Sequence, residues 1–578
     1  MGLNLTDELA CLVLARVMHS HGIRKVIASP GTTNSSFVIT LKRSQLFQIY
    51  SAVDERSAAY MACGMAAESE EPICITCTAA TASRNYLPGL TEAYYRKLPI
   101  LAITGTQPYS RVGHLVPQVI DRSDSPKDIA RFRCHLPLVK DEDDLYECVN
   151  KANEAILELF RGGGGPVHIN LPTKYSKKFN TPDLPNYKIV KRYFTGDNLP
   201  PIGDRKVAIV LGSSRTWSES TEADVDRFCG HFDAVVLCDH TSGYSGKYRL
   251  ASALIASQKS LNLTEFKPDL TIQLGEISGD YSMQRLIGQE VWRVSEDGSF
   301  KDTFKRLTNI FEMNVGQFCR FYTDQVSEPR SSYRDVLREL DRMIRCKIPA
   351  LPLSNIRVAQ EISKSLPPYS SVHFGILNSL RSWNFFELDN GINSFSNVGG
   401  FGIDGCMSTA FGAALSNPTK IVYIFLGDLA FFYDMNVLGN RHLPKNLRVV
   451  LVNNGRGTEF RNHGHHTSHF GEEADEFIAA AGHFGNKSKS LVKEYVTSLG
   501  LKYFEASDLD ELKSAIPIMC MQEAEQPMLL EVFTTTEDES EALRVIENLE
   551  SDASGSFKKV AVKILGRDTA KKIKGMLK

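Results

Sequence analysis

One pattern runs through most of this sequence: short apolar, β-branched runs alternate with stretches of helical character. Strands separated by helices are joined by right-handed crossovers, so this alternation predicts parallel, doubly wound sheets. The runs fall into three groups, and we therefore predict an α/β fold with three such sheets in series. They lie at 25–29, 48–53, 72–77, 100–104 and 167–171, then at 206–212, 234–238 and 270–274, and finally at 421–426 and 447–452.

The length of 578 residues also exceeds what one hydrophobic core organises, which favours several domains. Pro-rich passages at 181–201 and 349–352 interrupt the alternation and read as a linker and a boundary. We expect a charged C-terminal extension to form a solvated helix rather than a membrane or nucleic-acid tail. The predicted domains are 1–182, 183–348 and 349–540, and the extension is 541–578.

Charge and cysteine usage narrow the class of function. The 66 basic and 68 acidic residues give a formal net charge of −2, which provides no global field for nucleic acid or an anionic membrane. The sequence has no basic, apolar leader and no apolar run of about 18 residues. The 12 cysteines predict buried free thiols, and Cys74 and Cys77 lie in a strand-like run that does not suit zinc. We therefore expect a soluble, cytoplasmic protein that acts on small molecules.

Two polar positions follow successive strands of the third group. The run at 421–426 ends at Gly427 and Asp428, and the run at 447–452 ends at Asn453 and Asn454. A right-handed crossover places both strand ends at one crevice of the sheet. A carboxylate, an amide oxygen and a nearby main-chain carbonyl suit Mg²⁺ with phosphate oxygens. We also predict a helix from Asp428 to about Arg441, whose N-terminus adds backbone donors. The alternative is that Asp428 only caps a helix and Asn454 only turns the chain.

A second candidate follows the strand-like run at 48–53. Glu55 comes directly after it and begins a segment rich in Ala and Gly. In a dry crevice the pKa of such a carboxyl group would rise. From spacing alone, a favourable charge at a helix N-terminus is the simpler interpretation.

These motifs resemble those of thiamine-diphosphate enzymes. Gly427-Asp428 with Asn454 is similar to the diphosphate-binding motif of that family, although Leu429 replaces its usual second glycine. The Leu variant and the segment Asp54-Glu55-Arg56-Ser57-Ala58 are similar to the 2-succinyl-5-enolpyruvyl-6-hydroxy-3-cyclohexene-1-carboxylate (SEPHCHC) synthases of menaquinone biosynthesis, the MenD family. The resemblance covers the two outer domains, whereas the middle domain is similar only as a generic sheet. It extends to Ser29-Pro30-Gly31, to residues 165–172 and to Gly402-Ile403-Asp404-Gly405 with Ser408-Thr409.

The resemblance implies thiamine diphosphate and Mg²⁺ as cofactors. Asp428 and Asn454 would be side-chain ligands to the metal and Arg456 a main-chain ligand. Glu55 would hydrogen-bond to N1′ of the aminopyrimidine, and Gln118 would be a second catalytic residue. A homodimer or homotetramer with shared sites is implied as well. The implied cofactor-binding residues are Ser29, Pro30, Gly31, Glu55, Asn378, Ser379, Gly402, Ile403 (beneath the cofactor), Asp404, Ser408, Gly427, Asp428, Leu429, Ala430 and Asn454.

Departures from the family concern its substrate-binding arginines. Thr32 and Thr33 stand where the family has Ser-Arg, Gln107 replaces an arginine, and Val398 and Trp383 occupy two more such positions. Each lost carboxylate contact costs about 1.5–3 kcal/mol, which predicts a different acceptor. The candidate substrate residues are Thr32, Gln107, Arg381 (near the Trp383 position), His463, His465 and His466.

The histidine-rich segment has three interpretations. Its side chains could transfer protons or bind an anionic substrate, form an ordinary surface loop, or hold zinc. We expect the segment to overhang the cofactor because it follows the strand that ends at Asn454.

The leading prediction is decarboxylation of a 2-oxo acid, with 2-oxoglutarate as a candidate, followed by transfer of the acyl carbanion to an acceptor. One alternative is simple decarboxylation, as in phosphonopyruvate or sulfopyruvate decarboxylases. Another is a flavin oxidoreductase like pyruvate oxidase, but no glycine-rich dinucleotide motif stands near Gly212. A catalytically silent protein with a binding role conflicts with the presence of Glu55, Asp428 and Asn454.

Overall fold

The computed structural model describes residues 3–214, 217–324, 333–389, 391–483, 488–523 and 525–550. The chain divides into two compact units, Met1–Arg192 and Tyr193–Lys578. Three mainly parallel sheets with intervening helices are present, which confirms the predicted α/β fold class. The predicted domain boundaries stay a prediction.

The first unit contains a six-stranded sheet in the order β2-β1-β3-β4-β6-β5, and its strand pairs are parallel. Strands β3 and β6 are buried along their whole length, as expected for a sheet covered on both faces. The strands are β1 (Lys25–Ala28), β2 (Gln48–Ser51), β3 (Ile73–Cys77), β4 (Ile100–Thr106), β5 (Phe132–His135) and β6 (Val167–Pro172). The helices are α1 (Leu9–Ser20), α2 (Ser35–Ser44), α3 (Glu55–Ser69), α4 (Thr81–Asn85), α5 (Leu87–Tyr95) and α6 (Glu142–Glu158).

A seven-stranded sheet follows, in the order β10-β9-β8-β11-β12-β13-β7. Its edge strand lies inside the passage 181–201, which the sequence predicted to be a linker throughout. This strand is exposed or only half-buried, and so lacks the apolar run that marks a central strand. The strands are β7 (Lys191–Phe194), β8 (Val207–Leu211), β9 (Val235–Cys238), β10 (Arg249–Ala251), β11 (Leu270–Leu274), β12 (Glu290–Ser295) and β13 (Leu307–Glu312). The helices are α7 (Glu219–Phe232), α8 (Ala253–Ser257), α9 (Val315–Thr323) and α10 (Tyr333–Arg345).

The third sheet has six strands in the order β15-β14-β16-β17-β19-β18, all paired in parallel. Its strands are β14 (Ser371–Phe374), β15 (Asn393–Ser396), β16 (Val422–Gly427), β17 (Leu447–Asn453), β18 (Lys502–Ala506) and β19 (Met528–Phe533). The helices are α11 (Asn355–Ile362), α12 (Asn378–Asn384), α13 (Cys406–Ser416), α14 (Asp428–Asp434), α15 (Leu491–Ser498), α16 (Leu509–Met519) and α17 (Thr536–Ile546).

The predicted extension begins within a packed helix. Residues 541–546 are the last turns of α17, where Leu543 and Ile546 are buried in the core. Residues 551–578, with Lys571, Lys572, Lys574 and Lys578, lie outside the described residues. The solvated helix expected there stays a prediction.

The cysteine and membrane expectations concern the described part of the chain. All 12 cysteines are free, and Cys74 and Cys77 are buried in β3. No described group of three or more His, Cys, Asp or Glu side chains is placed to hold a metal ion. None of the helices that the structure describes has the length and apolar character needed to span a membrane.

Candidate functional site

Two topological switch points organise the candidate site. In the first sheet the chain leaves β1 for β2 on one side and returns to β3 on the other. In the third sheet it does the same from β14 to β15 and then to β16. Ligands of open α/β sheets bind outside the carboxyl ends of the strands at such points. The first and third sheets therefore each present a crevice, and the predicted cofactor residues follow the strands that form these crevices.

Asp428 lies at the end of β16 and is 5% exposed. Its Oδ1 accepts a hydrogen bond from the backbone N–H of Leu429 at 2.8 Å, and its Oδ2 accepts one from Gly455 at 2.6 Å. Burial raises the pKa of Asp428 to about 6, although backbone N–H groups of residues 454–456 oppose that rise. The carboxylate therefore faces the turn after β17, as the crossover argument predicted.

The donor atoms around Asp428 fit a magnesium ion. Asn454 Oδ1 is buried and has no hydrogen-bond partner among the described residues. The carbonyl of Arg456 accepts hydrogen bonds from the N–H of Thr458 at 2.9 Å and, at the long distance of 3.5 Å, from the Thr458 hydroxyl. A carboxylate and two neutral oxygens are ligands that Mg²⁺ prefers. Burying an amide oxygen without a hydrogen-bond partner costs free energy, and a bound metal ion at Asn454 Oδ1 would offset that cost.

The helix after Asp428 is shorter than predicted. The sequence suggested a helix to about residue 441, but α14 ends at Asp434 and a 3₁₀ turn, Met435–Gly439, follows. The carboxylate of Asp434 accepts a hydrogen bond from the N–H of Ser408 at 2.6 Å, at the start of α13. This tertiary contact fixes the position of the helix end, and no local sequence signal announces it.

The segment after β14 is held by polar side chains. Leu377 has φ 62° and ψ −117°, a positive-φ conformation that a non-glycine residue adopts only under constraint. Asn378 Oδ1 accepts hydrogen bonds from Arg381 and, at 3.1 Å, from Asn462. Ser379 is buried. The predicted cofactor residues here are thus tied to the loop that follows Asn454.

The Gly402–Ser408 segment leads into α13. Ile403 is half-buried and packs against the core beneath the third sheet, while Asp404 is exposed. Ser408 is exposed apart from its bonds to Asp434. Gly427, Leu429 and Ala430 occupy the end of β16 and the first turn of α14; Gly427 and Leu429 are half-buried and Ala430 is buried.

Arg381 does not offer a free charge. Its guanidinium donates to Glu459 Oε1 at 2.9 Å and Oε2 at 2.5 Å, a two-point ion pair. Trp383 and Val398, which occupy two positions where the family has arginine, are 2% and 3% exposed and belong to the core. This face of the second unit thus has apolar packing or paired charge at three of the positions considered for substrate binding.

A cavity in the second unit opens beside Leu377, Arg381 and Glu459. Its cations are already engaged, since Lys259 pairs with Glu547 at 2.7 Å and Arg285 donates to main-chain carbonyls. Asp280, at the cavity wall, has one carboxylate oxygen that is buried without a described partner, and burial raises the pKa of Asp280 to about 6.

The predicted histidines have different surroundings. His463 Nε2 lies 3.0 Å from Glu547 and 2.9 Å from Lys259. His465 shares a 2.8 Å hydrogen bond with Thr467, and the ring of exposed His466 lies tilted against that of His465, with the ring centres 4.6 Å apart. His463 therefore contacts two residues of the cavity wall, whereas the contacts of His465 and His466 are within their own loop.

In the first unit, Ser29, Pro30 and Gly31 follow β1 at the switch point. A Cβ on Gly31 would lie 2.2 Å from Thr78 Cβ, so only glycine permits this close approach. Thr33 is buried and shares a 2.7 Å hydrogen bond with Thr78, whereas Thr32 is exposed.

Glu55 is the first residue of α3 and is half-buried. Asp54 caps the helix by accepting from the N–H of Arg56 at 3.0 Å. Because Asp54 performs the capping, the carboxyl group of Glu55 remains available to a ligand. That role stays a prediction.

The loop after β4 carries Gln107 and Gln118. Gln118 is exposed and has φ 64°, and Gln107 accepts a hydrogen bond from Arg111. The same loop contains Arg122, which sequence reasoning missed and which is buried near Gln107. Glu459 and Asp280 were missed as well. Loop residues have no periodicity, so only their three-dimensional surroundings reveal them.

Comparisons with known proteins show what this sequence is similar to. Residues 11–125 match the family model described as "Thiamine pyrophosphate enzyme, N-terminal TPP binding domain". The chain is 28% identical to the SEPHCHC synthase of Bacteroides fragilis over 566 residues, which cover 93% of this chain and 98% of the relative. The synthase of Phocaeicola vulgatus is 28% identical over 557 residues, with the same coverage. The synthase of Flavobacterium johnsoniae is 27% identical over 547 residues, covering 90% of this chain and 95% of the relative.

Proposed function

We propose, from the premise that this chain is an enzyme of the thiamine-diphosphate type similar to SEPHCHC synthases, that it decarboxylates a 2-oxo acid and transfers the remaining acyl group to an acceptor. The acceptor differs from that of the relatives. Mg²⁺ as the metal, the shared-site assembly and a cytoplasmic location belong to the same proposal.

The observation that carries the proposal is the pair formed by Asp428 and Asn454. A buried carboxylate and an orphaned buried amide oxygen meet at adjacent ends of β16 and β17. Together with the carbonyl of Arg456 they would hold Mg²⁺ and, through it, a diphosphate. Ser29, Gly31 and Glu55 in the first unit would hold the pyrimidine end.

When bound, thiamine diphosphate supplies a nucleophilic carbon for the oxo group and a sink for the electron pair released with CO₂. The protein contributes proton handling and orientation. Glu55 would hold a proton at the pyrimidine nitrogen N1′. Ile403, half-buried before α13, would supply an apolar contact to the cofactor. Gln118 would orient a polar group of the substrate.

The proposal of a different acceptor rests on the charges that line the cavity beside Leu377. The cations of the cavity beside Leu377 are engaged: Arg381 pairs with Glu459 and Lys259 with Glu547. Two further positions, Trp383 and Val398, are apolar and buried. A pocket with paired charges stabilises a polyanion poorly, because each anionic group would lose water without gaining a cation. We therefore propose an acceptor with fewer anionic groups than the family's usual one.

A panel of 2-oxo acids tests the function. The purified chain is incubated with thiamine diphosphate, Mg²⁺ and each acid, and CO₂ release is measured. We expect release from at least one acid, and a C–C adduct once the acceptor is added. Accumulation of free aldehyde with every acceptor would favour the simple decarboxylase, and a visible flavin spectrum of the purified protein would favour the oxidoreductase.

Two variants make the test specific. Glu55→Gln should lower CO₂ release by orders of magnitude while thiamine diphosphate binding stays within about tenfold. Glu68→Gln, which removes an exposed carboxylate from the same helix, should leave both unchanged. A Glu55→Gln protein with wild-type activity would remove Glu55 from the mechanism.

A further inference from the structure

Arg122 is a buried cation that pairs with no carboxylate in the described part of the chain. It is 6% exposed and lies in the loop between β4 and β5. Among the described residues its guanidinium donates one hydrogen bond, from Nη2 to the carbonyl of Gly105, at the long distance of 3.4 Å. Its Nη1 is buried and has no partner among the described residues. Arginine is almost never buried in this way unless it is paired, so the position requires an explanation.

The neighbouring acid does not fill that role. The carboxylate of Asp121 accepts hydrogen bonds from the N–H and hydroxyl of Ser123 and is exposed. Burial lowers the pKa of Arg122 to about 10, yet the guanidinium stays protonated at neutral pH. The first unit therefore holds a positive charge in a poorly hydrated place. An isolated buried charge of this kind costs free energy until an anion arrives.

The pocket around Arg122 contributes donors and no carboxylate. It lies at the carboxyl edge of the first sheet, beyond β4, β5 and β6, and is lined by Gln107, His135 and Asn170. Gln107 uses its carbonyl oxygen for Arg111, so its amide NH₂ remains as a donor. Burial and the charge of Arg122 lower the pKa of His135, which is neutral at pH 7 and can donate through a ring N–H. These groups suit an oxyanion at the edge where α/β sheets bind ligands.

We propose that Arg122, flanked by Gln107 and His135, binds a carboxylate group of a substrate and so selects substrates with a carboxylate besides the one lost as CO₂. The selection of a substrate rests on the proposed function, whereas the binding of a carboxylate does not. Gln107 occupies a position where the resemblance leads one to expect arginine, and it lines the same pocket as Arg122. The pocket thus contains one arginine, at position 122 instead of the expected position 107.

Binding is measured first, without turnover, on the full-length protein. The probes are glutarate, a dicarboxylate with no oxo group, and its uncharged diamide, compared at equal ionic strength by calorimetry. We expect glutarate to bind and the diamide not to bind. Arg122→Gln should weaken glutarate binding at least tenfold. Arg96→Gln, which removes an exposed guanidinium elsewhere in the unit, should leave it unchanged.

Stability separates a binding role from a structural one. If Arg122 serves a ligand, neutral Arg122→Gln should unfold at the same temperature as the wild type or higher when no anion is present. A second variant, Gln107→Glu, places a carboxylate beside Arg122 and should raise the unfolding temperature while abolishing glutarate binding. Wild-type affinity for glutarate in either variant would overturn the proposal.

The double variant Gln107→Arg, Arg122→Gln returns the cation to the other side of the pocket. It should recover glutarate binding to within about tenfold of the wild type. If the double variant is folded and binds glutarate no better than Arg122→Gln, residue 107 does not share the pocket's ligand and the proposal fails.

Kinetics then identify the molecule that carries the carboxylate. If it belongs to the donor, Arg122→Gln should raise KM for 2-oxoglutarate at least tenfold and leave KM for 2-oxobutyrate unchanged. If it belongs to the acceptor, CO₂ release should be unaffected and adduct formation should fall at least tenfold. Unchanged kinetics in both assays would overturn the selection. Failure of CO₂ release with every acid, together with Arg122-dependent glutarate binding, would instead overturn the proposed function alone.

Discussion

Asp428 keeps a carboxylate in a nearly dry position, where only backbone N–H groups and a bound cation can stabilise its charge. We expect Asp428→Ala to abolish the thermal stabilisation that thiamine diphosphate and Mg²⁺ give the wild type, because the diphosphate would meet an incomplete metal shell. Thermal unfolding with and without both ligands measures this. Glu494→Ala, which removes an exposed carboxylate from the same unit, is the control. Undiminished stabilisation in Asp428→Ala would refute the assignment.

His168 is a second residue whose environment fixes its protonation. The hydroxyl of Thr104 donates to Asn170 Oδ1 at 3.0 Å, so it accepts from His168 Nε2 at 2.8 Å. The other ring nitrogen is buried without a described partner. Protonating it would create an unsatisfied donor, and burial accordingly lowers the pKa of His168 to about 3.

The sign of the pH effect follows from that pKa. Because the folded-state pKa lies below the unfolded value, His168 stabilises the fold above pH ~6.5, and this contribution is lost as the pH falls towards ~3. The slope is about 1.4 kcal/mol per pH unit. We expect His168→Gln to lose stability less steeply than the wild type between pH 6.5 and 4. Urea unfolding at several pH values measures the slopes, and equal slopes would exclude His168 as a source.

At the scale of elements, helices α3 and α5 approach each other through small residues. A Cβ on Gly89 of α5 would lie 2.5 Å from Ala59 Cβ in α3 and 3.0 Å from its backbone carbon. Such overpacking costs about 1–3 kcal/mol. We expect Gly89→Ala to lower the free energy of unfolding by that amount and to displace the helix that begins at Glu55.

Gly64, on the exposed face of α3, provides the matched control. A Cβ there meets no atom within 4 Å, so Gly64→Ala should raise stability by about 0.5–1 kcal/mol through helix propensity. Denaturant titration of both variants gives the comparison. If Gly89→Ala were as stable as Gly64→Ala, the tight helix contact would not be a constraint.

At the scale of the molecule, the predicted cofactor residues divide between the two units. Glu55 belongs to Met1–Arg192 and Asp428 to Tyr193–Lys578. We propose that one cofactor is shared by two chains, each contributing a different unit to a given site. A mixture of inactive Glu55→Gln and inactive Asp428→Ala chains should then regain activity, because one site of a mixed dimer carries neither lesion.

The mixing experiment needs a proof of exchange. Differently tagged chains, purified in tandem, show whether mixed dimers have formed, and each parent variant must be folded. Mixed dimers with no activity would show that each cofactor is bound within one chain.

The sequence alone predicted three parallel sheets, from ten of the nineteen described strands, and it predicted that β16 and β17, the strands that end at Gly427 and Asn453, lie side by side. Strand patterning is a local property, and successive strands of a parallel sheet are usually neighbours joined by right-handed crossovers, so both predictions needed only nearby residues. The sequence did not predict edge strand β7 because this strand lacks an apolar run. It predicted too long a helix at α14 because the hydrogen bond from Ser408 to Asp434, at the helix end, joins residues that are distant in sequence.

The tertiary structure decided which charges are free. Arg381 is neutralised by Glu459, which lies 78 positions further along the chain, and Trp383 belongs to the core. Arg122 resembles any other loop arginine in the sequence, and only its surroundings show a buried cation without an anionic partner among the described residues. Whether a charged side chain is buried or paired depends on segments that are distant in sequence. The free-energy cost of burying the charge depends on the hydrogen-bond and ion-pair partners that those segments supply.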